Sequence, residues 1–349
     1  MNKNIFDKDN ECTLVNQLQY DSSIGDWIID TDPGVDDAFA LTLALNKLGD
    51  KIALISIESG NVGATQCFTN AMKLCVINNK IVNISKGNSL TISTMSLRCF
   101  PGIHGKDGLF DFKEYNGIED QFKNLYIKNN NKNNNLSNFI KNNHSAVEII
   151  KICKKYKKEN KKLNLLTLGP LTNIALAFML DPSIVDDFNL VCIMGGSYLN
   201  TGNISPSGEF NFACDNIAAK IVLDNFKNIS VYCWDPAVKH LLYPDDIIVK
   251  NNSLKYEFIT KCINKKMEWN QGGVYADLGA AISCFFPKSI SEFEDVYADI
   301  VIDSSKIKQS MFIVNSKNIF SNKNKSKIKI IKTLDIKMYH KLCNEMIDT

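Results

Sequence analysis

The chain has 349 residues, of which 45% are hydrophobic and 22% are charged, and its formal net charge at pH 7 is +2. The sequence has no basic stripe and no nucleic-acid-binding motif, so nucleic acid is not an expected partner. No apolar run approaches the ~18–20 residues that span a bilayer, and no signal-peptide pattern occupies the first 25 residues, so we expect a cytoplasmic protein. The 11 cysteines lack regular spacing, and those inside apolar runs are predicted to be reduced core residues: Cys75, Cys192, Cys233 and Cys284.

The domain organisation follows from composition along the chain. Residues 1–24 are polar and weakly patterned, which predicts an N-terminal extension. Residues 25–349 are long enough for one large domain. Within this domain, a low-complexity Asn/Lys insertion at about residues 127–143 has the composition of a surface loop.

Apolar runs alternate with helical patterns through most of the chain, which predicts a single α/β domain with a mostly parallel, Rossmann-like central sheet flanked by helices. The predicted parallel strands are Trp27–Ile29, Ile52–Ile57, Leu163–Thr167, Leu190–Met194 and Ile229–Cys233. The pattern then changes to short antiparallel strands near the C-terminus, followed by a closing helix: Val296–Ile302, Met311–Asn315, Lys327–Thr333 and a helix from about Ile336.

Four carboxylates lie at the turn between the first predicted strand and the apolar helical run that follows it. These are Asp30, Asp32, Asp36 and Asp37. In an open α/β sheet, such a turn borders the crevice in which ligands bind, and the following helix N-terminus favours negative charge. Four acids packed this closely predict a bound cation, and oxygen ligands suit calcium or magnesium, with calcium somewhat favoured.

Three other interpretations of this acidic turn are a helix cap, a calcium EF-hand loop and a phosphatase motif. One of its acids could cap the helix, but capping uses one or two acids and not four. A calcium EF-hand loop requires Gly and Glu at positions that Val35 and Leu41 occupy here. A phosphatase of the haloacid dehalogenase type expects Thr or Val where Gly34 stands.

The stretch at this turn, DTDPGVDDAFAL, closely resembles the N-terminal signature of the inosine–uridine-preferring nucleoside hydrolase family, and the resemblance extends over residues 26 to 349. It implies calcium-dependent hydrolysis of the N-glycosidic bond of ribonucleosides. It also implies that the carboxylates of Asp32, Asp37 and Asp277 bind the cation together with the backbone carbonyl of Leu168. Asp32 would act in addition as the general base for the attacking water.

A second signature of the family matches the segment that follows Gly195-Gly196. By resemblance, Asn203 and Glu209 hold the 5′-hydroxyl side of the ribose, and Asn211 holds the 2′ and 3′ hydroxyls together with Asp36. The resemblance also places Asn61 near the ribose and the calcium site. Taken alone, the segment after Gly195-Gly196 is better explained as an Asn- and Gly-rich surface turn, and Asn61 fits an ordinary turn residue equally well.

The chain departs from the family pattern at Ala276, because members acting on inosine and uridine usually carry a His there as the proton donor to the leaving base. The candidates for a replacement are Tyr275, Trp269, Trp234 and His104. His104 lies in a glycine-rich loop that resembles the family's flexible active-site loop, whereas the two tryptophans are interpreted as packing residues.

Three functions therefore remain open from sequence: a ribonucleoside hydrolase, a metal-dependent phosphatase, and a catalytically impaired nucleoside- or ribose-binding protein, which Ala276 suggests. Members of the family are commonly dimers or tetramers, so a homo-oligomer is expected by analogy.

Overall fold

The structure is a computed structural model that describes residues 25–94, 101–112, 117–129, 139–199, 201–248, 250, 253–268, 273–302, 310–317 and 325–348. The predicted extension over residues 1–24 and the centre of the Asn/Lys insertion, residues 130–138, lie outside these ranges.

The described residues form ten strands and twelve α-helices. The strands are β1 (Asp26–Thr31), β2 (Ile52–Ile57), β3 (Ile84–Lys86), β4 (Ile140–Lys141), β5 (Leu163–Thr167), β6 (Phe188–Met194), β7 (Ile229–Tyr232), β8 (Ile290–Ile300), β9 (Phe312–Asn315) and β10 (Ile328–Leu334). The helices are α1 (Val35–Lys47), α2 (Ala64–Ile77), α3 (Pro101–His104), α4 (Ile118–Asn129), α5 (Ser145–Lys158), α6 (Thr172–Leu180), α7 (Phe210–Cys214), α8 (Asn216–Asn225), α9 (Trp234–Ala237), α10 (Leu254–Glu268), α11 (Ala276–Phe285) and α12 (Ile336–Asp348).

All ten strands join one sheet in the order β4-β3-β2-β1-β5-β6-β7-β10-β8-β9. The strands from β4 to β10 in this order run parallel, and β8 pairs antiparallel with both β10 and β9. The predicted α/β fold with antiparallel strands near the C-terminus is therefore confirmed. Strands β3 and β4 were not predicted, because three and two residues are too few to show a periodic pattern.

Strand β1 is buried on both faces of the sheet. Trp27 and Ile29 pack into one hydrophobic cluster, which includes residues of α1, α2, α10, α11 and α12. Ile28 points the other way, into a second cluster with residues of α5, α6 and α8. Helix layers on both faces explain why Trp27–Ile29 in β1 is a continuous apolar run without alternation.

The four cysteines predicted to lie in the core are buried, and no disulfide joins any of them within the described ranges. Among the described helices, none combines the length and apolar character that a membrane crossing requires.

The strand order reverses between β1 and β5. From β1 the chain proceeds outward through β2 and β3, and from β5 it proceeds in the opposite direction through β6 and β7. Ligands of open α/β sheets bind at such a switch point, beyond the carboxyl ends of the strands. The loops after β1, β2, β5 and β6, which carry most of the predicted site residues, therefore converge on one crevice.

Candidate active site

A cavity of about 280 Å³ lies at this crevice. Its walls include eight of the ten residues that the sequence predicted for the site: Asp36, Asn61, His104, Leu168, Asn203, Glu209, Asn211 and Asp277. The other two, Asp32 and Asp37, do not line this cavity but are buried in the same turn. The structure thus brings together residues separated by up to about 240 positions in the chain.

Asp36, Asp37 and Asp277 form a carboxylate cluster, in which one ligand atom from each residue lies within 4.8 Å of the others. Asp37 and Asp277 are buried and Asp36 is half-buried. Burial raises the pKa of Asp277 well above its ordinary value, and the negative charges of Asp37, Asp36 and Asp32 add to this effect. A cation would remove this repulsion, so the cluster fits a metal ion.

Asp32 lies next to this cluster and is 1% exposed. Its Oδ2 accepts a hydrogen bond from the backbone amide of Asn61 at 2.6 Å, whereas its Oδ1 has no hydrogen-bond partner in the described part of the chain. Burial, and then the charge of Asp37, raise the pKa of Asp32 well above its ordinary value. A buried oxygen without a partner is costly, and a cation or a water molecule would satisfy it.

Two glycines make room for the Asp32 carboxylate. A Cβ atom on Gly60 would lie 2.0 Å from Asp32 Oδ2, and one on Gly169 would lie 2.5 Å from Asp32 Oδ1. Both distances are far below van der Waals contact. The turns after β2 and β5 therefore admit this carboxylate only because neither position carries a side chain.

Asp37 is fixed by the turn itself. Its Oδ1 accepts from Thr31 Oγ1 at 2.5 Å, and its Oδ2 accepts from the Gly34 amide at 3.0 Å and from Asn61 Nδ2 at 2.8 Å. The same Asn61 Nδ2 donates to the Asp32 carbonyl at 3.1 Å. Asn61 thereby holds both acids in position from the next strand.

Asp30 is not part of this group of acids. Its Oδ1 accepts hydrogen bonds from Ser56 Oγ and from Asn173 Nδ2, the latter at 3.0 Å. Burial raises the pKa of Asp30 to about 6. The sequence predicted four clustered acids at this turn. In the structure, Asp30 lies apart from the other three, and the fourth carboxylate of the site comes from Asp277 at the start of α11.

Glu209 anchors the loop after β6. Its carboxylate accepts from the amides of Gly196 at 2.8 Å, Asn211 at 2.8 Å and Phe212 at 3.1 Å. Burial nevertheless raises the pKa of Glu209 to about 7, since these three hydrogen bonds offset only part of the desolvation. Nearby, Asn203 Oδ1 accepts from the Phe210 amide at 2.8 Å.

Asn211 connects this loop to the turn after β5. Its Nδ2 donates to the Leu168 carbonyl at 2.6 Å and to the Met194 carbonyl at 3.2 Å. A carbonyl oxygen has two lone pairs, so the Leu168 carbonyl retains one acceptor position.

His104 is held against the acidic turn. Its Nδ1 accepts from the Val35 amide at 3.0 Å and lies 3.7 Å from Asp36 Oδ1. Burial lowers the pKa of His104 to about 4. The ring is therefore neutral at pH 7, and because Nδ1 accepts, its proton is on Nε2. Such a ring can donate a hydrogen bond from Nε2 to a ligand. A hydrogen bond assists a leaving base less than the proton transfer for which the sequence made His104 a candidate.

The loop that carries His104 is fastened to α2. Asn70 Nδ2 donates to the Pro33 carbonyl at 2.9 Å and to the Asp107 carbonyl at 2.7 Å, and Lys73 Nζ pairs with Asp107 Oδ2 at 3.1 Å. These contacts tie the loop and the acidic turn to the same helix.

Sequence reasoning missed most of the remaining wall. The missed residues are Ile103, Met194, Ile204, Phe210, Lys266 and Val274. The cavity is also lined by Trp234, which was interpreted as a packing residue, and by Ala276. Of the other candidates, Trp269 lies outside the described residues, and Tyr275 is 1% exposed and stacks on Phe39 with ring centroids 4.4 Å apart.

Lys266 carried no signal in the sequence, because a lysine beside Lys265 in an amphipathic helix is typical of a solvent-exposed face. It is 5% exposed instead. Burial lowers the pKa of Lys266, and the carboxylates of Asp36 and Asp277 partly offset this effect.

A cavity at the switch point of a doubly wound sheet, with clustered carboxylates beside it, is the arrangement of an α/β protein with a candidate site for a small polar ligand and a cation. Comparison with known proteins is more specific. The family model for "Inosine-uridine preferring nucleoside hydrolase" matches residues 27–341. The chain therefore belongs to the inosine-uridine preferring nucleoside hydrolase family.

Two curated relatives and one solved structure illustrate the similarity. The chain is 29% identical over 226 residues to Uridine nucleosidase 1 of Arabidopsis thaliana, covering 64% of this chain and 61% of that protein. It is 31% identical over 218 residues to the non-specific ribonucleoside hydrolase RihC of Klebsiella pneumoniae strain 342, covering 62% and 64%. The matched segments thus span less than two thirds of these relatives. The structure of an Inosine-Guanosine Nucleoside Hydrolase superposes with a TM-score of 0.76 at 22% identity, covering 93% of this chain and 98% of that one, which supports the fold.

Proposed function

We propose that this protein hydrolyses the N-glycosidic bond of ribonucleosides to ribose and free base, in a reaction that depends on a bound divalent cation, calcium. The observation that carries the proposal is the carboxylate cluster beside a cavity whose wall also presents Asn203, Glu209 and Asn211. The cavity volume of about 280 Å³ is near the lower end of the usual range for small-molecule sites. The printed names of the relatives, which include a uridine nucleosidase and a non-specific ribonucleoside hydrolase, support a ribonucleoside as substrate.

The carboxylates of Asp32, Asp37 and Asp277 and the carbonyl of Leu168 would hold the cation, with Asp36 as a further carboxylate of the cluster. This set consists only of oxygen atoms, which calcium and magnesium prefer. When bound, the cation supplies positive charge that makes a neighbouring water molecule more acidic.

Asp32 is proposed as the general base. Its unpartnered Oδ1 can accept the proton of the attacking water, and its raised pKa in the cation-free state agrees with a site that stabilises the protonated form. The water oxygen forms a bond to C1′ while the C1′–nitrogen bond breaks, and the electron pair of that bond leaves with the base. The transition state has oxocarbenium character, which nearby carboxylates stabilise.

The sugar would be held by polar side chains of the cavity wall. Glu209 and Asn203 are proposed for the 5′-hydroxyl side, and Asn211 and Asp36 for the 2′ and 3′ hydroxyls, with Asn61 beside them. A ribose hydroxyl both donates and accepts, so carboxylates and carboxamides can satisfy it together. A homo-oligomeric state and a cytoplasmic location remain predictions.

A screen of common ribonucleosides for reducing-sugar release, with and without a chelator, tests this function. We expect release of ribose and free base in buffer without phosphate, and loss of activity after chelation that added calcium restores. Ala276 favours one second candidate, a nucleoside-binding protein that has lost catalysis. Saturable nucleoside binding without any release of sugar would select that candidate and refute the hydrolase proposal.

A further inference from the structure

Lys266 on α10 is a buried lysine on the cavity wall. Its ammonium donates to the Val274 carbonyl and lies 4.2 Å from the centroid of the Tyr275 ring. An ammonium group has three N–H donors, and these two contacts leave capacity for a ligand. Lysine is rarely buried to this extent unless its ammonium has polar or charged partners, because desolvation of its charge is costly.

Lys266 contacts the segment that carries Ala276, the position at which the chain lacks the histidine of the family pattern. Val274, which accepts from the ammonium, is two residues from Ala276, and both residues line the cavity together with Lys266. The same cavity wall includes the apolar side chains of Ile103 and Trp234. Apolar surface of this kind suits the flat faces of a nucleobase.

We propose that the Lys266 ammonium binds the leaving base and stabilises the negative charge that the base gains as the C1′–nitrogen bond breaks. This inference rests on the proposed hydrolase function and deepens it. The electron pair of the broken bond moves onto the base nitrogen and its conjugated ring, and a hydrogen bond from Nζ to a ring nitrogen or carbonyl oxygen of the base is strongest at that stage. The departed base then takes a proton from solvent, while Asp32 holds the proton lost by the attacking water. Charge-assisted donors that act on developing charge contribute to the rate itself and less to substrate binding.

The test compares two kinds of leaving group in Lys266→Met, whose unbranched side chain has a similar shape and no charge. Inosine and uridine have poor leaving bases, whereas p-nitrophenyl riboside releases a stable anion that needs little assistance. We expect kcat/KM for the nucleosides to fall about 100-fold, mainly through kcat, and kcat/KM for p-nitrophenyl riboside to change by less than about threefold.

Lys265→Met is the matched control, because Lys265 is the adjacent residue of α10, is about 40% exposed and pairs with Glu268 at 2.5 Å. It should leave both reactions unchanged. Equal losses on both substrates in Lys266→Met, or no loss on the nucleosides, would overturn the inference.

If Lys266→Met does not fold, Lys266→Gln provides the same comparison with a polar side chain. The wild-type protein separates the two proposals. If it cleaves neither nucleosides nor p-nitrophenyl riboside, the hydrolase function itself fails, whereas failure of the Lys266 inference alone leaves wild-type activity intact.

Discussion

Asp32 and Asp37 are buried at opposite ends of one turn, yet their oxygen atoms are used differently. Both oxygens of Asp37 accept hydrogen bonds from the protein, whereas Asp32 leaves Oδ1 without a partner among the residues described. A carboxylate with a spare oxygen can take up a proton, and one that is fully hydrogen-bonded is better suited to hold a charge in place.

This difference leads to a prediction for Asp32→Asn. We expect kcat to fall by about 10²- to 10⁴-fold, the range that a general base contributes, while the Kd for the nucleoside changes far less. Steady-state kinetics and equilibrium binding measure the two effects. Asp245→Asn, which neutralises an exposed acid at another place in the chain, should leave kcat unchanged. A parallel weakening of binding and turnover in Asp32→Asn would show that the residue acts only through the cation.

The sequence indicated these acids as candidate site residues but did not indicate Lys266, and the reason is physical. Asp32, Asp36 and Asp37 are nearly contiguous, so their shared chemistry is visible in eight residues of sequence. Asp30, in the same eight residues, instead accepts from Ser56 and Asn173, which only the folded chain reveals. The burial of Lys266 likewise depends on where α10 packs, which no local pattern encodes.

At the level of elements, the turns after β2 and β5 matter as much as the acidic turn after β1. Each places a glycine against the Asp32 carboxylate, so an added methyl group would push the proposed general base away from its position. The strands that these turns follow, β2 and β5, were predicted because each is a short, mostly apolar run. The close approach of Gly60 and Gly169 to the Asp32 carboxylate depends on how these strands lie side by side with β1, which the sequence does not show.

Gly169→Ala should therefore reduce kcat by at least about 100-fold, because misplacement of a catalytic group by about 1 Å has an effect of that size. Gly63→Ala is the control, since a Cβ atom at Gly63 would meet no other atom within 4 Å. Thermal melting of both variants distinguishes local displacement from unfolding. Full activity in Gly169→Ala would contradict the assignment of Asp32 as the general base.

At the scale of the whole molecule, the acids that cluster at the carboxyl ends of the strands make the free energy of unfolding depend on pH and on the proposed cation. Burial raises the pKa of Asp30 to about 6 and that of Glu209 to about 7, and it raises the pKa of Asp32 and Asp277 well above their ordinary values. The folded chain therefore holds these protons more tightly than the unfolded chain does. The stabilising contribution of these protonated acids is therefore fully present below the ordinary carboxyl pKa and is lost as pH rises through the raised values.

We predict that the melting temperature of chelator-treated protein falls between about pH 5 and pH 8, and that added calcium raises it more at pH 8 than at pH 5. The proposed calcium ion would compete with protons for the carboxylates and bind only the folded state, so its stabilising effect would increase as the acids ionise. At a calcium concentration 100 times Kd, the gain is about 2.7 kcal/mol. Calorimetry at both pH values measures it. A melting temperature that neither pH nor calcium changes would refute the cation site.

The order of the strands is the part of the fold that the sequence could not supply. Apolar runs identified five parallel strands, but the position of β1 between β2 and β5 depends on long-range pairing. The crevice that gathers Asn61, Leu168 and Asp277 around the acidic turn is a consequence of that order. From the sequence, only the resemblance to the family indicated that these residues belong to one site.

The cavity is built from two kinds of structure, and this division has a consequence for how substrate choice can change. Asp32, Asp36 and Asp37 follow the carboxyl end of strand β1, whereas Lys266 comes from α10, and Ile103 and Ile204, which are 44% and 36% exposed, come from α3 and from the loop after β6. Replacing the side chains of Ile103 and Ile204 would alter the shape of the cavity wall without removing the carboxylates or Lys266, which are proposed to act on the bond that breaks. Because these two side chains are exposed, substitutions there should cost little stability, and laboratory selection for new bases could begin with a library limited to these two codons.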